Sequence, residues 1–122
     1  PPMPLRALRG ATTIDVDEVE HLTERMHELL GALFERNELD HDDVVSIIFT
    51  ATDDIRCTFP ATAARTFGLG DVPLICAREL DVDGATPLCV RVMLHLETER
   101  DRRELHHVYQ HGAANLRDDL PK

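Results

Sequence analysis

The chain has 122 residues and a net charge of -10, long enough to bury about two thirds of its unfolded surface as a single domain without the help of a disulfide or metal. That acidity argues against a phosphate-gripping surface for DNA or RNA, and no window reaches the roughly 18 consecutive apolar residues of a membrane span. Of the 13 basic residues only Lys122 is not Arg, so any anion site must be built from guanidinium forks.

The first predicted element is a short strand, "LRALRG" (5–10), closing on a turn at Gly10, with "ATTID" after it as cap-type residues. Pro1 and Pro2 precede a Met, and residues 1–4 read as an extension. From Asp15, apolar residues at Val19, Leu22, Met26, Leu29, Leu30 and Leu33 form the stripe of an amphipathic helix running to about Asn37. Asp15 with Glu18 resembles a capping box at its start. After the polar connector "LDHDD", the β-branched run "VVSIIFTA" (44–51) predicts a buried strand.

A short helix is then expected to open at Pro60 and stop at Gly68 or Gly70. "VPLICAREL" is strand-like, "DVDGAT" is a turn, and "LCVRVMLHLET" (88–98) is the clearest strand of the chain. "ERDRRE" reads as a solvated charge run, and the tail "LHHVYQHGAANLRDDL" as holding a short helical turn. The order implies one domain over 1–122, with 118–122 a flexible tail. Its class is α+β: a mixed sheet, one long helix and short helices. One long helix covers only part of such a sheet, so the uncovered surface is expected to meet another subunit.

Chemistry centres on strand 88–98, where alternation sets Cys89, Arg91, Met93, His95 and Glu97 on one face. A guanidinium between Cys89 and Met93 must be paired or must await an anionic ligand. Pairing with Glu79 as a structural salt bridge is one reading. The other is an anion site, to which Arg9 at a strand end beside Gly10, Arg65 on the short helix and Arg117 near the C-terminus could contribute. Tyr109 reads as an amphipathic core residue.

No G-x-S-x-G, P-loop or G-x-G-x-x-G occurs. His107 and His111 stand four apart, but with no H-E-x-x-H or Cys pair they read as surface histidines rather than metal ligands. Cys76 has no His partner at a fixed spacing and reads as inert packing. The three cysteines, Cys57, Cys76 and Cys89, form no C-x-x-C pair, and nothing at the N-terminus resembles a signal peptide, so a reducing cytoplasm is the expected home.

"LRALRGATT", "FPATAAR", "VPLICARELDV", "CVRVM" and "HHVYQHGAANLR", in that order, resemble the small monofunctional chorismate mutases of the Bacillus type from about Leu5 to Leu120. The resemblance implies conversion of chorismate to prephenate, without cofactor or metal, by a homotrimer shaped as a pseudo-α/β barrel with sites between subunits. It also implies residue roles. Arg9 and Tyr109 would hold the enolpyruvyl carboxylate, and Arg91 would reach that carboxylate and the ether oxygen. Glu79 and Cys76 would bind the ring hydroxyl. Phe59 would pack on the substrate, Arg65 and Arg117 would lie near the ring carboxylate, and Leu74, Ile75 and Leu116 would line the site. Thr62 departs from the family's usual lysine in "FPAxAxR", which alters a peripheral charge. Two rivals use a similar site or architecture: a non-catalytic module for small dicarboxylates, and the trimeric reactive-intermediate deaminases that handle imines. Glu79 three residues after Cys76, with Arg91 twelve later, favours the mutase.

Overall fold

A mixed five-stranded sheet carries the molecule, and one side of it is covered by helix. The structure is a computed structural model and describes residues 3–116. The strands are β1 (Leu5–Thr13), β2 (Val44–Ala51), β3 (Leu74–Arg78), β4 (Cys89–Glu97) and β5 (Val108–Tyr109). Their spatial order is β3-β2-β4-β1-β5. β4 runs antiparallel to both of its neighbours, while the outer pairs β2–β3 and β1–β5 are parallel.

Helix α1 (Val19–Arg36) buries most of the expected stripe: Leu22, Met26, Leu29, Leu30 and Leu33 are fully covered, whereas Val19, in the first turn, is exposed. Burial of each such side chain is worth about 1.5 to 3 kcal/mol, which outweighs a weak start. The expected capping box is absent. Glu18 is the N-cap and its side chain makes no capping bond, while Asp15 is drawn off by Arg25 at 2.8 Å. At the other end, Asn37 ties the helix to the segment leading into β5. Its Nδ2 donates to the carbonyls of Leu33 and His106, and its Oδ1 accepts from the His106 N–H.

The expected turn at Gly10 is also absent, for β1 continues to Thr13 in register with β4 down to Cys89. Gly10 serves packing. A Cβ there would stand 3.2 Å from the Cδ1 atoms of both Leu29 and Leu33, so the missing side chain lets α1 approach the strand. Arg9 is therefore mid-strand, opposite Met93. Helix α2 (Pro60–Ala64) opens at Pro60 as anticipated and continues as a π-type turn over Arg65–Leu69. Gly68, at φ 114°, allows the chain to leave it.

The tail holds β5 as well as a short 3-10 turn, His111–Ala113. The charge run is a 3-10 turn with its own capping box, Asp101 to Glu104.

Candidate functional site

Register fixes which side chains share the uncovered face. Ala77, Thr50, Arg91, Ala11 and Tyr109 are successive partners in one row across all five strands. Arg91 and Tyr109 therefore stand on the same face, with Tyr109 packed over Ala11 between them. The adjacent row is Ile75, Ile48, Met93 and Arg9, which brings Arg9 beside Arg91.

Just beyond β3, Glu79 turns onto the same face. Its Oε2 accepts from the Thr50 hydroxyl at 2.7 Å and its Oε1 from the Leu80 N–H at 3.1 Å, so the carboxylate is held on both oxygens. Arg91 Nε lies 3.0 Å from that Oε2, but its N–H is not aimed at the oxygen and makes no hydrogen bond. The contact is a charge pair without the directional bond. The Arg91 side chain keeps 31% of its surface exposed, so the guanidinium is oriented yet open to an anion. A cavity of about 220 Å³ lies over it, bordered by Arg9, Ile48, Thr50, Glu79, Arg91 and Met93.

Cys76 is on the other side of the sheet. It is opposite Phe49, a fully buried core residue, and borders a groove of about 490 Å³ with Phe59, Cys57, Ile55, Arg56 and Arg78. Phe59 is 69% exposed, an unusual state for a phenylalanine set rigidly at the start of a helix. The loop before it is fixed by Asp17, whose carboxylate accepts the backbone N–H groups of Arg56 and Cys57 at 3.0 to 3.1 Å. The Cys57 thiol and these N–H groups hold the Asp17 carboxyl below its ordinary value, and burial pushes the Cys57 thiol up. Burial likewise raises Cys89. Asp53 grips Arg78 through two bonds of 2.6 Å at the groove's rim.

Arg9, Glu79, Arg91 and Tyr109 are thus on one face, and Cys76 and Phe59 belong to the other groove. Ile75 is exposed on the face of Arg91, whereas Leu74 packs partly against the core. Tyr109 and Leu116 pack over Ala11, Cys89 and Ala113. Arg65, at the end of α2, is exposed and borders neither cavity. Arg117 lies outside the described residues.

Sequence reasoning missed Thr50, because parity within β2 says nothing of which strand it faces. It missed Arg56 and Arg78 at the groove because a loop residue and the last residue of β3 meet there only through the fold. His107 is not a surface histidine: it is buried, and its Nδ1 accepts the backbone N–H of Arg9 at 2.9 Å. His111 is exposed and bonds Glu28 at 2.6 Å, so the two histidines engage different partners. No cluster of three or more His, Cys, Asp or Glu residues suited to a metal occurs among the described residues, and no helix among them is long and apolar enough to cross a membrane.

An α+β sheet with helix on one side and Arg9 and Arg91 beside a fixed carboxylate on the other has the charge and shape to take a small anion. Residues 5–120 match the family described as chorismate mutase type I. The chain belongs to that family and is an isomerase. It is 37% identical over 119 residues to chorismate mutase AroH of Bacillus subtilis (strain 168), covering 97% of this chain and 94% of that one. Against chorismate mutase AroH of Thermus thermophilus it is 38% identical over 117 residues, covering 95% and 96%. The solved chorismate mutase from Clostridium thermocellum superposes with a TM-score of 0.86 at 42% identity, over 88% of this chain and 96% of that one.

Proposed function

We propose that the protein rearranges chorismate to prephenate in the cytoplasm, as a homotrimer of pseudo-α/β-barrel shape. Each site is shared between the Arg91 face of one chain and the Phe59 groove of its neighbour. The observation that carries this reading is the separation of Glu79 from Cys76 by the thickness of the sheet. Residues assigned to one substrate cannot meet within one chain, and the bare face with exposed Ile48 and Ile75 is suited to receive a partner.

The substrate is a dianion that reacts without a co-reactant. One C–O bond breaks, one C–C bond forms, and no proton or leaving group departs. Catalysis then consists of holding the side chain folded over the ring and meeting the charge that develops. Arg9 and Tyr109 take the enolpyruvyl carboxylate. Arg91, held by its charge pair with Glu79 and still partly exposed, meets the ether oxygen as that atom becomes negative. Thr50 orients Glu79, which with Cys76 receives the ring hydroxyl. Phe59, Leu74, Ile75 and Leu116 shape the walls, and Arg65 and Arg117 serve the ring carboxylate at the mouth.

The test follows the loss of chorismate ultraviolet absorbance on adding purified protein, with the molar mass measured by sedimentation. Turnover to prephenate by a trimer is expected. Full turnover by a monomer would overturn the shared site, and binding without turnover would favour the dicarboxylate module.

A further inference from the structure

The parallel pair β1–β5 is two residues long: Gly10 faces Val108 and Ala11 faces Tyr109, and the Gln110 N–H donates to the Ala11 carbonyl. One residue earlier the ladder would need a backbone carbonyl to receive the N–H of Arg9. His107 supplies a ring nitrogen instead, with Nδ1 at 2.9 Å. The imidazole is buried, and its own backbone is two residues before Tyr109. A side chain thus occupies one rung of the sheet, between the two strands that carry Arg9 and Tyr109.

We propose that His107 is a positioning residue for substrate binding: its Nδ1, accepting from Arg9 N–H, sets the register of β5 on β1 and so the spacing of the Arg9 guanidinium from the Tyr109 hydroxyl. The inference rests on the roles given to Arg9 and Tyr109 above. Two residues of pairing are too few to specify a register alone, and a shift along a parallel strand moves side chains by whole rungs. Asn37 anchors the approaching chain at His106, and the His107 bond to the Arg9 N–H fixes its final step onto β1. A cavity of about 500 Å³ bounded by Arg6, Arg9, His95, Arg102, Arg103 and His107 adjoins this rung, so an altered ring has space to move rather than being held by packing alone.

The experiment compares His107→Asn with His107→Gln. Asn sets its amide oxygen near the position of Nδ1, whereas Gln reaches to the position of Nε2, away from the Arg9 N–H. Steady-state kinetics on chorismate should give the Asn variant a KM within about threefold of the parent, and the Gln variant a KM raised about tenfold with kcat changed far less. Equal KM values for Asn and Gln, or a parallel loss of kcat and thermal stability in both, would overturn the inference. The unsubstituted protein is run alongside; if it fails to turn over chorismate, the functional reading fails first and this inference with it.

Discussion

Cys76 and Glu79 are three residues apart in the chain and lie on opposite sides of the sheet. Cys76 is opposite Phe49 on the helix-covered side, and Glu79 bonds Thr50 on the bare side. Alternation turns Cys76 to the covered side within β3, and the bond to Thr50 holds Glu79, one residue past the strand, on the other. Each chain should therefore serve two sites. Arg91→Ala and Phe59→Ala chains, each inactive alone, should regain activity when unfolded together and refolded as mixed trimers. About a quarter of sites in a random equal mixture receive two intact halves. Mixed trimers that form but stay inactive would show that the site is not divided.

Arg91→Lys should fold normally and lose turnover by about a hundredfold or more, the scale of one preorganised oxyanion donor. Lysine keeps the charge beside Glu79 but loses the planar fork, and its shorter reach in donors leaves the ether oxygen unmet. Circular dichroism and kcat on the same preparation make the comparison, and near-normal kcat would remove Arg91 from the reaction.

Cys76→Ser should cost little. A hydroxyl still offers a hydrogen bond to the ring hydroxyl, whereas replacing a nucleophile costs several orders of magnitude. Intact-mass spectrometry during turnover should find no adduct on the chain, and a mass increase at Cys76 would overturn the unimolecular reading.

Stability should fall at both ends of the pH range, for opposite reasons. Asp17 is lowered by its bond with Cys57 and by the backbone N–H groups of Arg56 and Cys57, and Asp53 by the bonds from Arg78. Their contribution is fully present above the ordinary carboxylate range and is lost as pH falls through the lowered folded values. His41 is raised by its bond to Asp71, 2.8 Å away. Its contribution is fully present below the ordinary imidazole value of about 6.5 and is lost as pH rises through the raised one. All three groups are at the surface, so the slopes should be shallow. Urea midpoints across pH should decline on both sides, and His41→Ala should flatten the alkaline side alone.

Local patterns are legible in the sequence. The leucines of α1 are buried as expected although the helix is capped at Glu18, three residues beyond Asp15, β4 falls within one residue of its expected bounds, and the pairing of Arg91 with Glu79 is one of the two readings that the buried guanidinium allows. What could not be read is non-local. Gly10 looks like a turn in sequence because the reason for it, the approach of Leu29 and Leu33, comes from a helix 19 and 23 residues further along the chain. Asp15 looks like a cap because its competitor Arg25 is visible only in three dimensions. β5 is too short to carry a pattern, and its existence depends on β1. His107 reveals its role only through Arg9, 98 residues distant.

β3 is an edge strand of five residues paired on one side only, to β2. Were it to dock one residue out of step, Cys76 would turn to the bare face and Ala77 to the core, and the chain leaving the strand would carry Glu79 away from Thr50 and Arg91. In the shared-site assembly proposed above, a single misalignment would spoil two neighbouring sites at once, one in its own chain and one in the adjoining chain, so an error in this short strand would reach beyond the chain that carries it.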